Sequence, residues 1–194
     1  MPDGFEIVAL AASAGGLKAL SEVLAGLPAG FPAALVVVQH LDPRHRSLMA
    51  EILARRTGLA VSQAVDDDRV QAGTVLIAPP DRHLLVNADG LVSLTRTELV
   101  HFSRPSADLL FESVAASYRN RAIAVVLSGS GSDGAMGAKA IKKMGGTLIV
   151  QDPATAEFAG MPGAARQSAP ADFVLPLEEI AGALRTLVGE RPAA

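Results

Sequence analysis

Short, unbroken apolar runs recur along the chain, and several of them give way to stretches whose large apolar residues fall at helical spacing. The first run, Ile7-Val8-Ala9-Leu10-Ala11-Ala12, stops at Ser13; Gly15 and Gly16 follow, and Leu17, Leu20, Val23, Leu24 and Leu27 then mark one face of a helix. The next run, Ala34 to Gln39, is of buried-strand type and stops at His40, with Pro43 ahead of a helix predicted over about 44–56. Between Val61 and Thr95 the pattern changes to short strands, at about 61–65, 74–78, 83–87 and 91–95, separated by Asp66-Asp67-Asp68, Pro79-Pro80-Asp81 and Ala88-Asp89-Gly90. The last of these turns joins two apolar runs and signals a hairpin. Beyond the loop 97–105, Ser106 is placed to cap a helix running to Tyr118 with Leu109, Leu110, Phe111 and Val114 inward.

A third strongly buried strand, Ala122 to Leu127, enters the glycine-rich segment Ser128-Gly129-Ser130-Gly131-Ser132-Asp133-Gly134, followed by a helix to Met144. A strand Thr147 to Gln151, a short helix near 163–167, a strand Phe173 to Leu175 and a closing helix 177–188 complete the pattern. Strand and helix alternate except in the middle, and no linker, repeat or low-complexity segment divides the chain. The fold class expected is α/β: a three-layer α/β/α arrangement with a mostly parallel, doubly wound sheet and an antiparallel hairpin region. All 194 residues form one domain in this reading, with a core over about 5–188. A chain of this length buries roughly 70% of the surface its unfolded form exposes.

Composition refines the picture at three points. Hydrophobic residues make up 49% but aromatic ones only 4%, so Ala, Val, Leu and Ile must fill a core of strands covered on both faces. The net charge of −3 and the lack of basic clusters with interleaved aromatics argue against a nucleic-acid partner. Cysteine is absent, which removes thiol catalysis, disulfides and cysteine-ligated zinc. His40 and His45 have no third ligand nearby in sequence, the Asp66 to Asp68 run lacks calcium-loop spacing, and no metal site or cofactor is expected. No apolar stretch approaches a membrane span, so no direct membrane insertion is expected. Ala12-Ser13-Ala14 resembles a signal-peptide cleavage site, but the leader Met1-Pro2-Asp3-Gly4-Phe5-Glu6 is acidic rather than basic, and a cytoplasmic location is the default.

Ser13, His40 and Asp133 each follow a buried strand, directly or after a short glycine-rich turn. In an open parallel sheet the carboxyl ends of the strands share one edge, so a hydroxyl, an imidazole and a carboxylate converge there. Nucleophilic acyl transfer needs that set. The order Ser, His, Asp matches none of the common chain orders, and Ala11 stands where a nucleophile elbow requires Gly. Each residue also has a structural reading: Ser13 as a helix N-cap, His40 as a hydrogen-bonded strand end, Asp133 as a turn residue. His83 competes with His40, although it opens its predicted strand rather than ending it. The sharpest rival is Gly129-x-Gly131-x-x-Gly134, formally a dinucleotide-binding fingerprint, with Asp152 ending the next strand as a ribose ligand. Against that reading, Asp133 would set a negative charge beside the pyrophosphate.

At these residues the chain resembles the catalytic domain of the CheB family, the chemotaxis protein-glutamate methylesterases. The resemblance lies in Ala12-Ser13-Ala14-Gly15-Gly16, Gln39-His40, Ile77-Ala78-Pro79, Arg104-Pro105-Ser106 with Asp108, Ser128 through Gly134, and Gly160-Met161-Pro162, in order along nearly the whole chain. It implies a serine hydrolase that removes methyl ester groups from glutamates on the cytoplasmic helical bundle of chemoreceptors, often also deamidating glutamines there. It implies Ser13, His40 and Asp133 as the catalytic residues, main-chain N–H groups of Ala14 and Ser130 as the oxyanion hole, and Arg104, Ser106, Asp108 and Met161 as cleft or substrate-binding residues. Many members carry Thr and Met where this chain has Ala14 and Ser130, a change that leaves the main-chain donors in place. Better known members also carry an N-terminal receiver domain; none is expected here, which makes a separate regulatory protein a candidate partner. Ser106 and Asp108 have a plainer reading as a helix cap and a first-turn acid, and Gly160-Met161-Pro162 as a turn. A catalytically silent receptor-binding module remains the third alternative, beside the esterase and the dinucleotide binder.

Overall fold

The computed structural model describes residues 4–42 and 44–189. Seven strands form one sheet: β1 (Ile7–Ala12), β2 (Ala34–Gln39), β3 (Ala60–Gln63), β4 (Thr74–Ile77), β7 (Ala122–Val126), β8 (Thr147–Gln151) and β9 (Phe173–Leu175). Their order is β3-β4-β2-β1-β7-β8-β9, and every pairing is parallel. The predicted hairpin, β5 (His83–Val86) with β6 (Val92–Thr95), forms a separate antiparallel pair. Among the described residues, six α-helices flank the sheet: α1 (Gly16–Ala25), α2 (Met49–Ala54), α3 (Ala107–Tyr118), α4 (Ala135–Lys143), α5 (Gly160–Ser168) and α6 (Leu177–Val188).

The period of two along β1 divides the interior. Ile7, Ala9 and Ala11 point into one core with Leu110, Phe111 and Val114 of α3, Ile141 of α4 and Leu84 and Val86 of the hairpin. Val8, Leu10 and Ala12 point into the other, with Leu20, Val23 and Leu24 of α1, Leu53 of α2 and Ile180 and Leu184 of α6. All six β1 residues are fully buried, which is why the run is continuously apolar rather than alternating. The strand order reverses across β1: the chain winds outward through β2 to one edge, then returns through the hairpin and α3 to β7 on the other side. At such a reversal the helices leave the sheet in opposite directions and open a crevice at the strands' carboxyl ends.

Two expectations need correction. The helix predicted over 44–56 spans only Met49–Ala54. Ahead of it, the Asp42 carboxylate accepts the Arg44 N–H and guanidinium, and the Ser47 hydroxyl accepts the Met49 N–H, so local side-chain acceptors displace the first helical turns. Pro43, expected to precede that helix, lies outside the described residues, as do Met1, Pro2 and Asp3 of the leader. The short helix expected near 163–167 begins earlier, at Gly160.

Candidate active site

Ser13 leaves β1 with its backbone fixed on three sides. Its N–H donates to Ser128 O at 3.0 Å, and its carbonyl accepts Gly16 N–H at 2.8 Å and Gln39 Nε2 at 2.8 Å. Ser13 is not a helix cap: Gly15, at φ 74°, occupies that position in α1 and offers no side chain. The Ser13 side chain is half-buried, and among the described residues its hydroxyl forms no hydrogen bond. His40 follows β2, whose Gln39 lies in register with Ala12, so the imidazole and the hydroxyl issue from adjacent strand ends. The buried Gln39 amide donates to both Ser13 O and His40 O, at 2.8 and 3.1 Å, tying the two turns together.

Across β1, the segment after β7 carries Asp133, only 3% exposed, with Oδ2 2.7 Å from His40 Nε2. Four donors surround this carboxylate. His40 Nε2 and Ala107 N–H (2.7 Å) reach Oδ2, while Ser106 Oγ (2.9 Å) and Asp108 N–H (3.0 Å) reach Oδ1. Burial pushes the Asp133 carboxyl up, but hydrogen bonds from His40 and from the first N–H groups of α3 outweigh it and hold the group below its ordinary value. An ionised carboxylate only accepts, so Nε2 carries the proton and Nδ1 keeps the lone pair. The ring therefore offers Nδ1, not Nε2, as its basic atom.

Asp108 makes the reciprocal contact. Its Oδ1 accepts Gly134 N–H at 3.0 Å and Gly137 N–H at 2.7 Å at the start of α4, and its Oδ2 lies 3.3 Å from His101 Nε2. Burial raises the Asp108 carboxyl against those N–H bonds, and the neighbouring Asp133 charge raises it further. Each helix thus holds a carboxylate from the other's approach. The contact also weighs against the dinucleotide alternative, because two N–H groups at the start of α4, those of Gly134 and Gly137, are taken by an internal side chain.

The expected oxyanion donors are available. Among the described residues, neither Ala14 N–H nor Ser130 N–H donates within the protein, while their neighbours are engaged: Gly129 N–H to Phe158 O, Ser128 N–H to Gln151 Oε1 and Ser128 Oγ to Ala14 O. Gly129 must lack a side chain here, since a Cβ would stand 2.3 Å from Met161 Sδ and 3.0 Å from Ser13 Cβ.

The four expected cleft residues separate. Arg104 lines a cleft of about 350 Å³ together with His40, Leu41, Asp81, Leu99, Phe102 and Pro105. Its guanidinium is fastened to Asp81 Oδ1 and to Thr97 O, and that contact, against burial, holds the Asp81 carboxyl below its usual range. Ser106 and Asp108, 0% and 3% exposed, do not line that cleft and instead donate to Asp133, and Met161, 1% exposed, packs against Gly129. Sequence reasoning missed Gln39 and Gln151 as supports; a buried amide ending an apolar strand was the available signal. The Ala107 main-chain donor has no side-chain signature at all.

The family model described as CheB methylesterase matches residues 8–184. A relative from Leptospira interrogans is 41% identical over 177 residues, which cover 91% of this chain and 92% of its own. The protein-glutamate methylesterase/protein-glutamine glutaminase 2 of Pseudomonas aeruginosa is 45% identical over 92% of this chain and 52% of its own length. The corresponding protein 1 of Burkholderia lata is 43% identical over 95% and 55%. The chain therefore spans about half the length of these last two. Among solved structures, the catalytic domain of Thermotoga maritima CheB methylesterase superposes with a TM-score of 0.91 at 37% identity, covering 95% of this chain and 99% of that one.

Proposed function

Because the chain belongs to the CheB methylesterase family, we propose that it removes methyl ester groups from glutamate side chains of methylated chemoreceptors, with Ser13, His40 and Asp133 as its catalytic residues. The observation that carries this reading is the His40–Asp133 bond at 2.7 Å, with the carboxylate held by three further donors, beside a hydroxyl at the next strand end. Such a carboxylate stays charged, fixes the tautomer and offsets the imidazolium that forms.

In the reaction, His40 Nδ1 takes the Ser13 proton as Oγ bonds to the ester carbonyl carbon. The negative charge on the carbonyl oxygen falls to the N–H groups of Ala14 and Ser130. The tetrahedral intermediate collapses, the bond to the methoxy oxygen breaks, and His40 returns its proton so that methanol leaves. Water then attacks the glutamyl-serine ester with His40 again as base, freeing the glutamate carboxylate and Ser13. A glutamine side chain would follow the same course with ammonia as leaving group, in keeping with the glutaminase activity named for the relatives. Arg104, paired with Asp81, supplies a fixed polar wall to the cleft beside His40. No described helix is long and apolar enough to cross a membrane. On the esterase reading, the reaction takes place in the cytoplasm, on the receptors' helical region.

Treatment with a fluorophosphonate and mapping of the labelled peptide tests the assignment. A single adduct on Ser13, lost in Ser13→Ala and strongly slowed in His40→Ala, is expected. Labelling elsewhere, or none, would overturn it.

A further inference from the structure

His83, the first residue of β5, is fully buried, and the reaction above does not use it. Both ring nitrogens are engaged. Ser106 N–H lies 3.1 Å from Nδ1 and Glu98 O lies 2.9 Å from Nε2. A main-chain N–H can only donate, so Nδ1 holds the lone pair and Nε2 carries the proton that the Glu98 carbonyl accepts. One imidazole therefore bridges the two ends of the segment 98–106, whose interior supplies Leu99, Phe102, Ser103, Arg104 and Pro105 to the cleft.

The Ser106 end leads directly to the catalytic pair. The Ser106 hydroxyl and the N–H groups of Ala107 and Asp108 are three of the four donors on Asp133, and the fourth is His40. A shift in the Ser106 backbone would move all three together. Nothing else among the described residues accepts the Ser106 N–H, which is buried and would be left without a partner if the ring were lost.

We propose that His83 is a positioning residue for the hydrolase: its Nδ1 fixes the Ser106 backbone, so that the start of α3 meets Asp133 in the geometry that His40 requires, while its Nε2 fixes the far end of the cleft segment. This inference rests on the esterase reading. The two roles separate by chemistry, because an asparagine amide oxygen can take the place of Nδ1, whereas a glutamine amide nitrogen can take the place of Nε2. His83→Asn keeps the acceptor for Ser106 and gives up the Glu98 contact. His83→Gln does the reverse.

The test is the rate of fluorophosphonate adduct formation on Ser13 in the full chain, measured against probe concentration for the wild type and both variants. His83→Gln is expected to lower the limiting rate by about tenfold or more, the effect of one lost orienting hydrogen bond. His83→Asn is expected to keep the limiting rate within about threefold and to show its loss in the half-saturating concentration. A limiting rate in His83→Gln equal to the wild type, or equal losses in the two variants, overturns the inference and leaves the esterase reading intact. A wild-type chain that forms no adduct overturns the esterase reading itself. Should a variant fail to fold, the nitrogen-15 spectrum of the wild-type imidazole decides: a ring protonated only at Nε2 supports the assignment, and one protonated at Nδ1 overturns it.

Discussion

Asp133 and Asp108 are two buried carboxylates with opposite behaviour, and the difference lies in the donors each receives. Asp133 has four and is held below its ordinary value despite burial; Asp108 has fewer for its second oxygen and is pushed up. For Asp133, whose folded value is lowered, the stabilisation is present above the unfolded value of 3.8 and is lost as pH falls through the folded one. For Asp108 the sign is reversed: stability declines as pH rises from 3.8 through its raised folded value. Asp108→Asn keeps an oxygen for Gly134 and Gly137 and removes the charge, so urea unfolding should show that decline abolished and stability at pH 7 equal to or above the wild type. Asp133→Asn instead turns an amide N–H₂ toward a donor that is left without a partner, and should cost about 1–3 kcal/mol at pH 7 in the same measurement. At Gly16 a Cβ would lie 1.9 Å from Gln39 Oε1, so Gly16→Ala should displace the amide that ties Ser13 to His40. The expected result is a loss of labelling at Ser13 larger than the loss of thermal stability. Ser13, His40 and Asp133 can be picked out in the sequence because each follows an unmistakable apolar run, Asp133 after a glycine-rich turn. The burial of Ser106 and Asp108 cannot, because their partner Asp133 lies 27 and 25 residues away and no local spacing encodes the contact.

At the scale of elements, α3 and α4 are joined by exchange of carboxylates at their N-termini and by close packing where Gly137 meets Phe111. A Cβ at Gly137 would fall 2.5 Å from Phe111 Cβ and 3.0 Å from Asp108 O, a backbone atom that cannot swing aside. Gly137→Ala should therefore destabilise the chain by about 1–3 kcal/mol in urea unfolding and should also slow labelling of Ser13, since α3 carries the donors of Asp133. Strands β1, β2 and β7 follow from their sequences because they are buried on both faces and cannot be mistaken for surface. The start of α2 does not, because Asp42 and Ser47 offer side-chain oxygens that compete with helical hydrogen bonds. The register of β2 on β1, which sets Gln39 beside Ala12, is a matter of pairing between distant segments and leaves no periodic trace.

For the molecule as a whole, the reversal of strand order at β1 is what gathers residues from positions 13, 40 and 133 onto one rim. The two cores that β1 divides are nearly free of aromatics, so close packing of small and branched side chains must keep the rim rigid. Leu10→Ala, at the centre of one core, should cost about 2–5 kcal/mol in a thermal or urea melt. The most direct test of the whole account is methanol released from a methylated chemoreceptor cytoplasmic fragment. The wild-type chain should release it with multiple turnovers, and Ser13→Ala, folded as judged by its melt, should be slower by up to about a million-fold. Release by Ser13→Ala at a rate close to the wild type would contradict the account.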